Sequence, residues 1–405
     1  MKPERPRLVA LVEYYLPGFR AGGPMRSISA LVEQLGDEID FYVITRDRDE
    51  GSGDPYPDCR HGEWKSLGKA KVRYLAPGEL TPGRLAAAVG EVQPHAVYLN
   101  SFFAPMSLRL LLARRFGALK GVPIVLAPRG ELSPGALRLK TLKKRSFLRL
   151  STWAGLYADV VFHASTDREH GEISGAIRLT EAPRIARNPI AFDRATMGSR
   201  PKASGAARFV FLSRITRKKN LLVAIELLRS VEGLVELEIY GPVIDAAYWR
   251  ECLALVGKMP PNVIVMYRGP IAHDRVPAAL GANHFFLLPT ASENFGHAIV
   301  EALLAGCPLV ISDQTPWLGL SQRGVGWDLP LHDARTWRDA LQTCLDMDAA
   351  SYEQASLRAA ALGGQIAAAD TAEEHRRLFR SIFDPVIAGK IARESGSPGV
   401  VSVGS

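Results

Sequence analysis

Cysteine is scarce in this chain: four in 405 residues, at Cys59, Cys252, Cys307 and Cys344, with no CxxC pair and no histidine cluster nearby. That distribution excludes a disulfide framework and a zinc site, and it fits a reducing compartment. Long apolar runs are also missing. The stretch from Leu8 to Val12 is too short for a signal-peptide core. No segment approaches the roughly 20 apolar residues that a membrane-spanning helix needs. The histidines show no H-E-x-x-H or other ligand spacing, and Gly51-Ser52-Gly53 lacks both the third glycine and the following helix of a dinucleotide fingerprint. No aromatic stacking motif or zinc finger accompanies the basic charge, which argues against nucleic acid as a partner. The expectation is a cytoplasmic protein with no metal and no cofactor.

Of what is present, 47% hydrophobic and 23% charged residues describe an ordinary globular protein. The length suits two domains of about 200 residues each. The net charge of +8 is local: residues 1–200 hold 30 lysines and arginines against 21 aspartates and glutamates. Within 101–160 there are 11 basic residues and two acidic ones, Glu131 and Asp159. The density peaks in Leu137–Leu150, LRLKTLKKRSFLRL, where helical spacing sets Leu139, Leu142, Phe147 and Leu150 against a cationic remainder. Such a helix either lies on an anionic membrane surface or meets an anionic ligand; the alternative is a solvated helix covering the core.

Short apolar strands alternate with amphipathic helices, the pattern of doubly wound α/β architecture. Strands are expected at Leu8–Tyr14, Phe41–Thr45, Ala96–Asn100, Pro123–Ala127 and Val160–Ala164, with a helix from Met25 to Leu35. Residues 198–207, GSRPKASGAA, have linker composition and divide an N-terminal domain (1–197) from a C-terminal one (208–370). In the second domain the strands are Arg208–Ser213, Val235–Tyr240, Val263–Tyr267, Phe285–Pro289 and Leu309–Ser312, with helices at Leu221–Ser230, Ala247–Val256 and Gly296–Ala305. A C-terminal helix (371–393) packing back on the first domain and a disordered tail (394–405) complete the division. Two such domains in series leave a cleft between the carboxyl ends of their sheets, where ligands bind in this class.

The most informative segment is FFLLPTASENFGHAIVEALLAGCPLVISD, from Phe285 to Asp313. A strand ends at Pro289, a polar loop follows, and a helix starts near Gly296, so the backbone N–H groups of Asn294, Phe295 and Gly296 would face a phosphate. Gly296 has no side chain to block that approach. Glu301 is the only acidic residue between Phe295 and Ser312, on a helix otherwise fit for burial. A buried carboxylate needs partners, and vicinal ribose hydroxyls would serve. Glu293, in the loop, would face the sugar end of the same ligand. The alternative is that Glu293 caps the helix and Glu301 pairs with a basic neighbour in the core. Upstream, FLSRITRKKNLL carries Arg214 and Lys219 out of the second domain's first strand, two cations suited to a diphosphate. Lys218 is the adjacent substitute.

SENFGHAIVEALLAGCPLVISD resembles the E-x7-E region of the GT-B-fold, retaining glycosyltransferases of the glycosyltransferase group 1 family, and SRITRKKN is similar to that family's paired Arg and Lys. The resemblance covers nearly the whole chain. It implies two Rossmann-like domains facing across a cleft, and an enzyme that moves a sugar from a nucleotide-diphosphate sugar, its substrate, to a saccharide or lipid-linked acceptor. By the same resemblance Glu293 contacts the donor sugar, Glu301 holds the ribose, and Arg214 and Lys219 carry the diphosphate. Tyr240-Gly241-Pro242 and Arg268-Gly269 would line the nucleotide and base pocket. The family's Gly-rich loop near the N-terminus corresponds to Gly22-Gly23, with Arg26 and Ser27 as further anion contacts.

Three departures accompany the resemblance. The family's Gly after the Lys is Asn220 here, and its Gly-Gly-x-Pro-Glu stretch is replaced by DQTPWLGL at Asp313–Leu320. Where related enzymes carry a His near the reacting sugar, this chain has Arg129, in PRGELSPG; a guanidinium stays charged and cannot act as a general base. Arg129 would stabilise charge on the leaving diphosphate or hold an anionic acceptor, an ordinary surface arginine being the alternative. Asp47-Arg48-Asp49 matches the D-x-D metal motif of the other major glycosyltransferase fold, but its charged surroundings are those of an exposed loop. The basic segment 137–150 points to an acceptor that is anionic or held at the inner face of a membrane, as in surface polysaccharide assembly. A nucleotide-sugar epimerase of the same fold and a non-catalytic scaffold with a degenerate site are the rival readings.

Overall fold

The computed structural model describes residues 5–57, 59, 61–138, 141–190 and 200–394. Leu139, the first two residues of the expected linker, and the tail from 395 onward lie outside them. In the first domain the strands are β1 (Arg7–Leu11), β2 (Asp40–Arg46), β3 (Trp64–Leu67), β4 (Ala70–Leu75), β5 (Ala96–Asn100), β6 (Ile124–Ala127), β7 (Val160–Ala164) and β8 (Arg184–Ile185). They form one sheet in the order β3-β4-β2-β1-β5-β6-β7-β8, parallel except for the β3/β4 pair. The second domain contributes β9 (Ala206–Leu212), β10 (Leu234–Tyr240), β11 (Val263–Gly269), β12 (Phe285–Leu288), β13 (Leu309–Ser312) and β14 (Gly326–Leu329), in the order β11-β10-β9-β12-β13-β14.

Continuous apolar runs such as FFLL in β12 and LVIS in β13 are buried along their whole length, as strands covered on both faces require. Phe209, Phe211, Phe285 and Phe286 are fully buried in the second core. The first sheet divides its apolar residues between two cores, one on each face. In both sheets the chain reverses its direction of winding beside the first strand, between β1 and β5 and between β9 and β12. Those two switch points, at the carboxyl ends of the strands, fix where a ligand fits.

After β14 come two helices, Ala334–Asp346 and Ala349–Ala367, and then Thr371–Glu394 returns to the first domain. Leu378, Phe379, Ile382 and Phe383 are buried in the same core as Leu8, Ala10 and Val43. Arg376 closes the contact with two 2.8 Å hydrogen bonds to the Glu38 carboxylate.

Several boundaries differ from the sequence reading for local reasons. β1 stops at Leu11 rather than Tyr14, because Val12 to Tyr14 turn into the interdomain cleft. The helix expected from Gly296 begins at His297, with Gly296 as its N-cap in the left-handed region at φ 82°. In the basic segment, Phe147 packs against the core and Lys144 faces the cleft, so neither belongs to an outward face. The D-x-D residues are not on an exposed loop: Asp47 is fully buried and Asp49 nearly so.

Candidate active site

The loop after β9 and the loop after β12 meet at the second domain's switch point. Ala291 N donates to the carbonyl of Lys218 at 2.8 Å, and Thr290 Oγ1 donates to the same oxygen at 3.2 Å. The loop after β13 joins them, with Glu293 N on the carbonyl of Gln314 at 2.9 Å and Trp317 Nε1 on that of Phe295 at 2.5 Å. Asn220 sits in the left-handed region at φ 59°, where its short polar side chain is tolerated in place of glycine. At Gly241, a Cβ would lie 2.0 Å from the carbonyl oxygen of Ser213, so only glycine lets β10 end against the backbone that delivers Arg214. Gly269 accepts from Gly241 N at 2.9 Å and thereby supports that wall from behind.

Gly296 must likewise be glycine: its φ is positive and a Cβ would meet Ile299 Cδ1 at 2.7 Å. The helix it opens, His297–Leu304, has no side-chain cap, so its first N–H groups and dipole are available to an anion. Lys219 Nζ forms a hydrogen-bonded ion pair with Glu293 Oε2, both side chains largely buried. Burial alone would raise the Glu293 carboxyl; Lys219, Lys218 and the Asn294 N–H outweigh it and hold the group below its ordinary value of 4.5. Burial first, then the like charge of Lys219, push Lys218 the other way, down.

The stability carried by the Glu293 carboxylate is therefore present in full above pH 4.5 and is lost as pH falls through the depressed value. Thermal melts are expected to show wild type losing more stability than Glu293→Gln on acidification below that pH. Equal losses would mean that the pair contributes nothing.

Glu301 is 3% exposed and is not on the cavity wall. Arg26, which is on the wall, reaches across from the first domain and bonds both carboxylate oxygens, at 2.5 and 2.6 Å. His273 Nδ1 lies 3.7 Å from the same group. The expectation of a carboxylate free for ribose thus meets a carboxylate already paired with a basic neighbour, the alternative left open by the sequence. Arg214 is paired across the cleft too, 3.1 Å from Glu50 of the first domain. Burial raises the Glu50 carboxyl and Arg214 offsets part of that. His297 stands between the domains with Nε2 3.0 Å from Ser27 Oγ. Burial, then Arg26 and Arg129, push its pKa down to about 3, so the ring is neutral at neutral pH.

On the first domain, Asp49 accepts from Phe19 N at 2.9 Å and Arg20 N at 3.2 Å, fixing the loop that carries Gly22-Gly23 to the cleft. No group of three or more metal-ligating side chains occurs among the described residues. Of the D-x-D carboxylates, Asp49 anchors the Gly22-Gly23 loop and Asp47 is bonded by the Arg48 guanidinium at 2.7 and 3.1 Å. Gly22 has φ 74° and, with Gly23, Pro24 and Met25, forms the wall facing the second domain.

Arg129, at φ 58°, sends its guanidinium onto Asn100 Oδ1 (2.8 and 3.2 Å), Tyr98 OH (2.9 Å) and Asn188 Oδ1. The order of donation is fixed from behind. His163 Nε2 donates to the carbonyl of Ala186 at 2.8 Å, so its Nδ1 accepts from Tyr98 OH at 2.7 Å, and the Tyr98 oxygen accepts from Arg129. Burial, with His375 and Arg129 nearby, holds His163 well below its ordinary value and keeps that arrangement neutral. Every hydrogen-bond partner of Arg129 among the described residues is neutral, so its charge is free for an anion in the cleft. Surface exposure, the alternative reading, does not describe it. Asn294 lies on the cavity wall but turns its amide to the first domain, donating from Nδ2 to Ser165 Oγ at 2.9 Å and Glu169 Oε2 at 3.2 Å. Glu169, 2% exposed, also accepts from Gly130 N at 2.6 Å; the sequence offered no signal for it.

The cavity enclosed by these walls has a volume of about 700 Å3, enough for a nucleotide-sized ligand. Ten of the twelve residues expected at the site line it; Glu301 and Gly269 stand one layer back. Arg20, Arg26, Arg46, Arg129, Lys144, Arg214, Lys218 and Lys219 face it, against Glu13, Glu50, Glu131 and Glu293. Twice as many cations as carboxylates around one cavity favour a ligand with several negative charges.

Residues 193–356 match the family model described as glycosyl transferases group 1. No curated protein matches the chain. Among solved structures the chain is similar to HepE of Anabaena, crystallised with UDP and glucose, at 16% identity and a TM-score of 0.67 over 93% of this chain and 99% of that one. Sucrose-phosphate synthase of Thermosynechococcus elongatus gives 15% identity and a TM-score of 0.70 over 94% and 100%. WaaG, a glycosyltransferase involved in lipopolysaccharide biosynthesis, gives 14% and 0.63 over 93% and 99%. At such identities the likeness establishes the fold. Residues 193–356 therefore belong to the glycosyl transferases group 1 family, within a chain that has the two-domain GT-B fold.

Proposed function

We propose that this protein transfers a glycosyl group, with retention and without a metal, from a nucleotide-diphosphate sugar to an anionic saccharide or lipid-linked acceptor. The observation that carries the reading is the convergence of Arg214, Lys219 and the uncapped helix N-terminus at one switch point, on the wall of an interdomain cavity. The HepE complex with UDP and glucose supports a nucleotide-sugar donor. The WaaG likeness supports a place in surface polysaccharide or glycoconjugate assembly.

In this reading the diphosphate lies against Arg214, Lys219 and the first N–H groups of the helix after Gly296, which stabilise the charge that develops as the sugar–oxygen bond breaks. The acceptor oxygen bonds to the anomeric carbon on the face that the diphosphate leaves, and the acceptor's proton passes to the departing diphosphate. No protein nucleophile is needed. Glu293 orients the sugar, Glu301 takes the ribose hydroxyls once Arg26 is displaced, and Gly241 leaves room for the nucleotide. Arg129, whose hydrogen-bond partners are neutral, attracts the charge of the acceptor. Closure of the domains, already held by contacts such as Ser133 Oγ to Ser292 Oγ at 3.3 Å, would exclude water from the donor.

Incubating the protein with a bound donor and candidate acceptors, and following products by NMR, tests this. The expected result is an acceptor-dependent product whose anomeric configuration matches the donor, unaffected by chelator. Conversion of the donor to an epimer without acceptor would replace the transferase reading with an isomerase.

A further inference from the structure

The basic helix of the first domain, Thr141–Trp153, turns two different faces to two different places. Phe147 and Leu148 pack against the core, and Lys144 reaches the cleft, with Nζ 4.9 Å from the centre of the Phe103 ring and bonded to the carbonyl of Ala136 at 2.7 Å. On the opposite side Leu142 is 84% exposed, Leu150 65% and Trp153 88%. At 100° per residue these three fall within one quarter-turn or so of the helix, flanked by the exposed cations Lys143, Arg145 and Arg149. The patch continues past the helix. Arg115 donates to the carbonyl of Ala154 at 2.9 Å, which ties the end of helix Pro105–Arg115, with Phe116 beyond it at 83% exposure, to the residue that follows Trp153.

Single exposed apolar side chains are ordinary on a protein surface. Two leucines, a tryptophan and a phenylalanine grouped together and edged by cations are not. Among the described residues, no carboxylate forms an ion pair with Lys143, Arg145 or Arg149. Large apolar groups ringed by cations match the interface of an anionic bilayer, where apolar side chains enter the acyl boundary while the cations meet headgroup phosphates. A tryptophan, apolar with one polar N–H, suits that boundary. No described helix is long and apolar enough to cross a membrane, so the contact is one of surface docking.

We infer that Leu142, Leu150, Trp153 and Phe116, with Lys143, Arg145 and Arg149, form a docking face for an anionic lipid bilayer. The face lies one helix diameter, about 10 Å, from Lys144 in the cleft. That separation brings a bilayer-held acceptor to the cavity wall, a consequence that rests on the transferase reading; the docking itself does not. The sequence pattern had placed Leu139 and Phe147 beside Leu142 and Leu150; Leu139 lies outside the described residues, Phe147 is taken by the core, and Trp153 and Phe116 are exposed instead.

Sedimentation with vesicles of phosphatidylglycerol and phosphatidylcholine in equal parts, against phosphatidylcholine alone, tests the inference on the full chain. Wild type is expected to pellet with the anionic vesicles only, and to be released by high salt. Lys143→Glu with Arg149→Glu is expected to lower the partition coefficient by roughly 25-fold, about fivefold for each cation lost. Leu142→Ser with Trp153→Ser is expected to lower it by roughly tenfold or more. Donor binding, measured by calorimetry on the same variants, is expected to stay at the wild-type value, since none of the four positions lines the cavity. Vesicle binding that is absent, or equal in wild type and both variants, overturns the docking face while intact donor binding leaves the transferase reading standing. Donor binding absent in wild type overturns the transferase reading whatever the vesicles show. A dimer in sedimentation velocity that Trp153→Ser dissolves would assign the face to a second copy of the chain and overturn the bilayer.

Discussion

Lys219→Ala is expected to lower kcat by roughly 100- to 1,000-fold, the loss typical when one group stabilising a departing oxyanion is removed. The side chain does two things in the structure. It stands on the cavity wall where a diphosphate would leave, and it neutralises Glu293 in a largely buried pair. Removing it leaves a carboxylate with only Lys218 nearby, so a stability loss of about 3 kcal/mol is expected as well. The two effects separate cleanly, because Glu293→Gln with Lys219→Ala removes the uncompensated charge. That double variant is expected to melt closer to wild type than Lys219→Ala while remaining as slow or slower. Lys218→Ala is expected to lose less activity, since the Glu293 carboxylate is bonded to Lys219. If Lys218→Ala proved the slower of the two, the phosphate contact would belong to Lys218.

The second large effect concerns Glu301 and Arg26, which are 275 positions apart in the chain and bonded through both carboxylate oxygens. If Glu301 takes the ribose, Glu301→Ala is expected to weaken donor binding by roughly 10- to 100-fold, the worth of charge-assisted hydrogen bonds to two hydroxyls. It also strands Arg26, at a cost of about 3 kcal/mol in stability. Arg26→Ala is the informative comparison. It frees the carboxylate, so donor affinity is expected to hold or rise while stability falls. Were both variants destabilised alike with donor affinity unchanged, Glu301 would be a strut that closes the cleft and nothing more. The parallel pair of Arg214 with Glu50 obeys the same reasoning: if Arg214 takes the diphosphate, Glu50→Gln removes its competitor and donor affinity is expected to rise.

These pairs mark the limit of what the sequence could say. The segment from Phe285 to Asp313 was legible because its signals are local. A four-residue apolar run bounded by proline gives β12, a glycine fixes the helix start, and LVIS gives β13. Arg214 and Lys219 were legible because a strand end is a strand end whatever it faces. The partner of Glu301 was not, because it depends on how two domains meet. Arg129 was visible as a departure from the pattern that the resemblance implies. Its shell joins Tyr98 and Asn100, two residues apart on β5, to Asn188 in a loop 88 positions further on, and only the fold brings that loop to the strand.

The basic segment failed for a different reason. Leu142, Phe147, Leu148, Leu150 and Trp153 are scattered around the helix, so the apolar pattern alone does not say which of them the core takes. Packing against Phe103 and the strands took Phe147 and Leu148. Helices Ala334–Asp346 and Ala349–Ala367 and strand β14 went unread, as did the charged β3/β4 hairpin, whose edge position needs no apolar run.

Calorimetric titration of the wild-type chain with nucleoside diphosphates and their sugars, repeated with chelator and on Arg214→Ala, tests the donor site most directly. The expected result is selective binding of one nucleotide sugar, unchanged by chelator and weakened by roughly tenfold or more in the variant. Folded protein that binds no nucleoside diphosphate and no nucleotide sugar would contradict it, and would leave a GT-B scaffold whose cleft no longer holds a donor.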